Sequence, residues 1–367
     1  MATGHLLTAS EEGAVGKLTV PFFGAHQSGI ATPPQARATF VSFNINEGVD
    51  RERVARLLRL WTSDMQLLSE GRPAMGDASP EIAISPASLT FTVGIGYSLL
   101  AKLGMTDRWP TTINEIPAYS IDRLEPHWSG GDIVVQVCAN DSLALTHAVR
   151  EIVRGAKPFV TPIWMQQGFN PHAGVNPGKT ARNIMGQVDG SGNPKLGSPE
   201  FANTVWVQNS NEEWFIGGST LVLRRIRMGL DTWESLPPEI QEKVIGRKRS
   251  NGAPLTGKVE TDLPDLLAEK DGQPVIPADA HIRRATTPRN IFRRVYNYDA
   301  GLLADGTQDV GLLFATYQAD PRQFTEIQER LADLDHLNRW TTPIGSGLWA
   351  IPRGVQSGDW IASALFD

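Results

Sequence analysis

Asp189 sits among glycines and small polar residues, in Gly186-Gln-Val-Asp189-Gly190-Ser191-Gly192. Glycines lack a Cβ and let a backbone approach a flat ligand closely, with the carboxylate turned toward it; the same run also suits a surface turn. His281 stands out among seven histidines by its setting, Asp279-Ala-His281-Ile-Arg-Arg, followed by Asn290-Ile-Phe-Arg293-Arg294-Val-Tyr-Asn-Tyr298. A lone histidine is usually a polar core or surface residue. As a metal ligand it does not suit zinc, which needs two or three companions that are not at ligand spacing here. It does suit haem, where the porphyrin supplies the other four nitrogens to iron.

Other chemistry finds little foothold. The run at residues 174–180, Gly-Val-Asn-Pro-Gly-Lys-Thr, resembles a phosphate-binding loop, but that motif needs four residues between its glycines and this has three. Its proline also removes an N–H donor. Gly94-Ile-Gly96 follows a strand like a dinucleotide fingerprint, yet the third glycine is missing. The Gly-x-Ser-x-Gly and His-Glu-x-x-His hydrolase patterns are absent. One cysteine, Cys138, excludes an intrachain disulfide and any Cys-x-x-Cys site; its apolar surroundings read as a buried structural thiol.

The elements that must position these residues follow from length and periodicity. A chain of 367 residues, 41% apolar and 20% charged, suits two packed globular units. No stretch approaches the ~20 apolar residues that cross a bilayer. A net charge of -6 and a pI near 5.7 give no reason to expect nucleic acid or anionic membrane as a partner. Residues 1–16 show no basic run followed by an apolar core, so no signal peptide is expected in them. Alternation predicts strands at 37–46, 88–97, 132–139 and 159–166, and 3.6-residue spacing predicts helices at 50–70, 98–103 and 141–154. After a Gly/Pro/Asn-rich loop at 167–197, strands near 214–228, 310–318 and 345–352 and helices at 238–245 and 321–333 repeat the pattern. The fold class is α+β, two ferredoxin-like units with antiparallel sheets at 1–166 and 167–367. The polar stretch 247–297 reads as an insertion in the second, and long loops of that kind tend to be functional.

Several segments, in order along most of the chain, resemble the dye-decolourising peroxidase family. They are Gly24-Ala-His26-Gln27-Ser-Gly29-Ile30, Gly186-x-x-Asp189-Gly190, Gly217-Gly218-Ser-Thr-Leu-Val-Leu-Arg224-Arg225, Ile245-Gly246-Arg247 with Gly252-Ala-Pro-Leu255, the His281 and Arg293 segments, and Gly311-Leu-Leu-Phe314 with Tyr317-Gln318-x-Asp320. The resemblance implies two ferredoxin-like halves around haem b, bound mainly in the C-terminal half. His281 becomes the proximal iron ligand, Asp189 the distal carboxylate and Arg293 the distal cation, with Arg294 pointing elsewhere. Gly190, Ser191 and Gly192 would approach the haem, Leu312 and Phe314 would form an apolar lining, and Asp320 would accept the proximal imidazole N–H.

On this resemblance the protein reduces hydrogen peroxide to water through a ferryl intermediate and oxidises bulky aromatic or metal-ion donors. Asp189 would move the proton between the peroxide oxygens while the guanidinium offsets charge on the departing hydroxide. Electrons from dye-sized donors would travel through aromatic side chains, with Trp340, Trp349, Tyr298 and Trp360 as candidates. The resemblance also implies export by a twin-arginine route; homo-oligomerisation stays open. The alternative is a haem carrier or iron-releasing protein of the deferrochelatase kind, which needs His281 but not Asp189 beside Arg293. A related chlorite-converting enzyme would leave the Gly-x-x-Asp-Gly loop unexplained.

Overall fold

A computed structural model describes residues 15–173, 175 and 178–367. Residues 1–14, read above for a targeting segment, and Gly174, Asn176 and Pro177 of the phosphate-loop-like run lie outside the described residues.

The first half runs β1 (Arg37–Ile45), α1 (Arg51–Ser69), β2 (Thr90–Ile95), α2 (Tyr97–Lys102), β3 (Ile133–Ala139), α3 (Ser142–Ala156) and β4 (Val160–Phe169). Local chemistry sets the helix starts: the side chains of Asp50 and Asp141 accept the amides of Arg53 and Ala144, satisfying donors that a first helical turn leaves unpaired. The second half runs α4 (Pro199–Val205), β5 (Ser219–Met228), α5 (Pro238–Ile245), α6 (His281–Ala285), β6 (Phe292–Arg293), β7 (Tyr296–Leu302), β8 (Gln308–Gln318), α7 (Arg322–Leu334) and β9 (Thr341–Ile351).

Each half forms an antiparallel sheet in the same order, β4-β1-β3-β2 and β9-β5-β8-β7, the ferredoxin-like arrangement occurring twice. The halves also join edge to edge. Ala350 of β9 pairs with Ile95 of β2, and Phe169 of β4 pairs with Asn297 of β7, so eight strands close a ring with no free edge between them. Inside the ring lies an aromatic core that includes Phe40, Trp164, Tyr296, Tyr298, Tyr317 and Trp349.

Strand alternation decides what faces outward. On β8, Leu313, Ala315 and Tyr317 point into the ring, while Leu312 and Phe314 belong to outer apolar clusters with Met228, Trp233 and Val222. The polar stretch 247–297 is not all loop, since it contains α6, β6 and the start of β7. Its strand pattern is obscured because inward positions carry polar groups: Arg294 is buried beside Phe292 and Tyr296, donating to the Thr32 carbonyl and to Gln35 Oε1.

The outer layers of the halves differ. Helix α1 buries ten residues against its sheet, whereas the amphipathic helix α7 buries only Gln323 and Phe324. Ile327 of α7 meets Phe314 and Leu348 only partly buried.

Candidate active site

The Asp189 loop is a turn that demands glycine. Gly186 has φ +81° and Gly190 φ +125°, a region where side-chain-bearing residues are strained, so the two glycines flanking Asp189 follow from the backbone path. The Asp189 amide donates to the Ala181 carbonyl at 2.9 Å, and Asn183 Nδ2 donates to Asp189 Oδ2 at 3.2 Å. Ile184 N donates to Asn297 Oδ1 at 2.7 Å, fastening the loop to β7.

Strand β6 brings the cation. Because Arg294 points into the ring, its neighbour Arg293 points out, and its Nη1 lies 3.4 Å from Asp189 Oδ1. Asn193 clamps this arginine: its Oδ1 accepts the Arg293 amide at 3.0 Å and Nε at 3.4 Å, and its Nδ2 donates to the Arg293 carbonyl at 2.7 Å. One loop thus sets both the acid and the guanidinium. Gly192 lies beside the same arginine, and the Ser191 hydroxyl and Gln187 Nε2 are buried without a hydrogen-bond partner among the described residues.

His281 is the first residue of α6, and its Nδ1 lies 2.6 Å from Asp335 Oδ2. A carboxylate only accepts, so Nδ1 carries the proton. Nε2 makes no hydrogen bond among the described residues, and in the neutral imidazole it is the nitrogen that carries the lone pair. Burial works against a charged imidazole here, but the charge and hydrogen bond of Asp335 outweigh it and hold the His281 pKa above that of a free histidine; Arg293 pulls it down and Asp189 up. Those last influences place His281 within electrostatic reach of the acid and guanidinium.

The expected partner of His281, Asp320, is not there. Asp320 ion-pairs with Arg322 and accepts its amide at 2.9 Å, at the start of α7. Asp335 ends the same helix, whose thirteen residues separate the two carboxylates by roughly 20 Å. Asp335 is buried, and its other oxygen accepts the Leu337 amide at 2.9 Å. Sequence reading also missed Asn183, Asn193 and Arg247. Asn193 carried a local signal, the Asn-Pro turn after Gly192, and Arg247 stands in the Ile245-Gly246-Arg247 segment that carries the resemblance; what the three side chains do is identified by tertiary contact.

The chain matches the family description "Dyp-type peroxidase, N-terminal" over residues 27–170 and "Dyp-type peroxidase, C-terminal" over residues 180–356. It belongs to the Dyp-type peroxidase family. It is 39% identical to the dye-decolorizing peroxidase of Thermobifida fusca (strain YX), over 94% of this chain and 84% of that one. The deferrochelatase of Yersinia pestis is 34% identical, over 95% and 85%. The crystal structure of the DyP-type peroxidase from Cellulomonas bogoriensis superposes with a TM-score of 0.93 at 42% identity, covering 97% of this chain and 100% of that one. Membership makes the protein a peroxidase, an oxidoreductase dependent on haem.

The residues present fit that group. His281 offers one neutral nitrogen with its proton fixed on the far side. Between α7 and the outward face of β8, Ile327 and Phe314 are only partly buried, and a flat apolar ring would complete their burial, adding a fraction of the about 1.5–3 kcal/mol that burying such a side chain from full exposure contributes. Arg247, donating to the Gly252 and Glu260 carbonyls, has no carboxylate within ion-pair distance among the described residues; burial and then the charge of Arg293 lower its pKa. Such a cation suits a haem carboxylate.

Asp335→Asn tests the His281 contact. Loss of a carboxylate that orients a metal-ligating imidazole is expected to weaken haem affinity or the peroxide reaction by about 10–100-fold. Haem titration and stopped-flow spectroscopy of the variant check this, and wild-type values in both would remove Asp335 from the site.

Proposed function

We propose that the chain reduces hydrogen peroxide to water and takes electrons singly from bulky aromatic donors. The observation that carries this reading is the pairing of Asp189 and Arg293, 3.4 Å apart on one loop-and-strand unit within the influence of His281. The first half, 1–166, is read as a scaffold unit and the second, 167–367, as the haem-binding one, since Asp189, His281, Arg293, Leu312 and Phe314 all lie in it.

Haem b, when bound, supplies the iron redox chemistry, held through His281 Nε2. Asp189 would take the proton from one peroxide oxygen and return it to the other, which would leave as water as the O–O bond breaks with two electrons that bound haem would supply. Arg293 offsets negative charge on that leaving oxygen. Asn183 and Asn193 fix the two groups beforehand, so little reorganisation accompanies the transfer. Asp335, by accepting the Nδ1 proton, makes the imidazole a stronger donor. Leu312 and Phe314 keep the face apolar.

Catalytic bleaching of an anthraquinone dye, with two electrons drawn per peroxide consumed, is the expected behaviour of the haem-loaded protein. Release of intact haem without turnover would instead favour a carrier, and loss of iron from the ring the iron-releasing function that the name of the Yersinia relative, deferrochelatase, denotes. The arginines separate cleanly. Arg293→Ala is expected to slow the peroxide reaction with the fold intact, whereas Arg294→Ala, which strips Gln35 and Thr32 of a buried donor, should cost about 1–3 kcal/mol per unsatisfied group and lower Tm. Reversal of those phenotypes would exchange their roles.

Of the aromatic relay candidates, Trp349 and Tyr298 are buried within the ring, while Trp340 and Trp360 reach the surface. Trp340 is the better placed, five residues beyond Asp335 with its ring 5.4 Å from that of Trp233. Trp340→Phe should reduce dye turnover several-fold and leave the peroxide step unchanged; equal dye rates in variant and wild type would discard the route.

A further inference from the structure

A second group of ligating side chains lies in the first half, apart from every residue assigned above. On α3, His147 and Glu151 are four residues apart and project from one helix face, the spacing by which a helix offers two ligands to one metal ion. Asp77, from the segment between α1 and β2, meets them, its Oδ2 2.9 Å from His147 Nε2. One ligand atom each from Asp77, His147 and Glu151 lies within 4.8 Å of the others. An ion with bonds of roughly 2.0–2.2 Å closes that spread with small side-chain movements. All three side chains are at least nine-tenths buried.

Asp64, on α1, gives an independent observation. It is buried, and one of its oxygens takes the Met75 amide at 3.2 Å while Oδ2 has no partner among the described residues. That oxygen faces the same side of α3: a Cβ on Gly155, one turn past Glu151, would stand 3.7 Å from it. Burial, and the charge of Glu151 against the Met75 bond, push the Asp64 pKa up. Three buried carboxylates are therefore balanced by one half-exposed guanidinium, Arg154, which is paired with Glu151 and donates to the Gly76 carbonyl, and by one imidazole. Buried carboxylates lacking full compensation are costly, and a cation relieves them.

We propose that Asp77, His147 and Glu151 bind a divalent transition metal, with Asp64 accepting from a water that completes the shell. One imidazole and two carboxylates suit zinc best. On binding, His147 takes the tautomer protonated at Nδ1, the proton that Nε2 had donated to Asp77 being exchanged through solvent, and the freed Nε2 bonds the metal as a neutral ligand. The ion would be structural, tying the segment after α1 to α3, and separate from the haem.

Tag-free, haem-loaded protein incubated with zinc sulfate and gel-filtered tests the proposal by elemental analysis. One zinc per chain is expected, with iron unchanged, falling at least tenfold in His147→Ala and Asp77→Asn. Zinc K-edge absorption should give a shell of one imidazole and otherwise oxygen. No retained zinc in the wild type, equal zinc in both variants, or a shell with two imidazoles would overturn it. Should His147→Ala fail to fold, judged by its Soret band and circular dichroism, Asp77→Asn and Glu151→Gln carry the comparison.

Discussion

Replacing His281 with alanine is expected to abolish stable haem ligation, with affinity falling by more than about 100-fold, since loss of an outer partner of a metal ligand already costs 10–100-fold. Asp335, the carboxylate hydrogen-bonded to His281, offers no substitute, being buried and committed to the Leu337 amide. Added imidazole should restore a histidine-like spectrum in the variant. A five-coordinate histidine spectrum without imidazole would mean that another residue holds the iron. The haem-free protein gives a second readout. The folded pKa of His281 stands above its unfolded value, so the Asp335 contact contributes fully below about pH 6.5 and is lost as pH rises through the higher folded value. His281→Ala should flatten that part of the stability profile, which denaturant melts at several pH values would record.

Asp189→Ala should leave haem binding intact and slow the reaction with peroxide by about 10²–10⁴-fold, the usual worth of a positioned proton-transfer group. Arg293 stays in place, held by Asn193 rather than by Asp189 alone. The variant therefore isolates proton transfer from charge stabilisation. Stopped-flow mixing of the haem-loaded variant with hydrogen peroxide measures the effect. A rate within a few-fold of wild type would hand the proton-moving role to Arg293 or to solvent.

What was readable in the sequence, and what was not, divides along the range of the interactions. The Gly-x-x-Asp-Gly run was legible because two positive φ angles require glycine at fixed offsets, a purely local constraint. Arg293 was separable from Arg294 once β6 was a strand, because alternation sends neighbours to opposite faces. The strand itself was hidden, since it is two residues long and Arg294, next along the chain, occupies an inward place where a periodicity reading expects an apolar residue. Asp335 was beyond reach: Asp320 and Asp335 bracket the same helix, and only packing decides which end meets His281. Ring closure depends on single pairings at Ala350–Ile95 and Phe169–Asn297, too sparse to leave a pattern.

The most direct test is the Soret band of haem-loaded wild-type protein mixed with hydrogen peroxide over a range of concentrations. A rapid shift, second order with a constant of about 10⁴–10⁸ M⁻¹s⁻¹ and reversed by a one-electron donor, is the expected result. A band that stays fixed, or only fades as iron leaves the ring, would contradict the roles given to His281, Asp189 and Arg293.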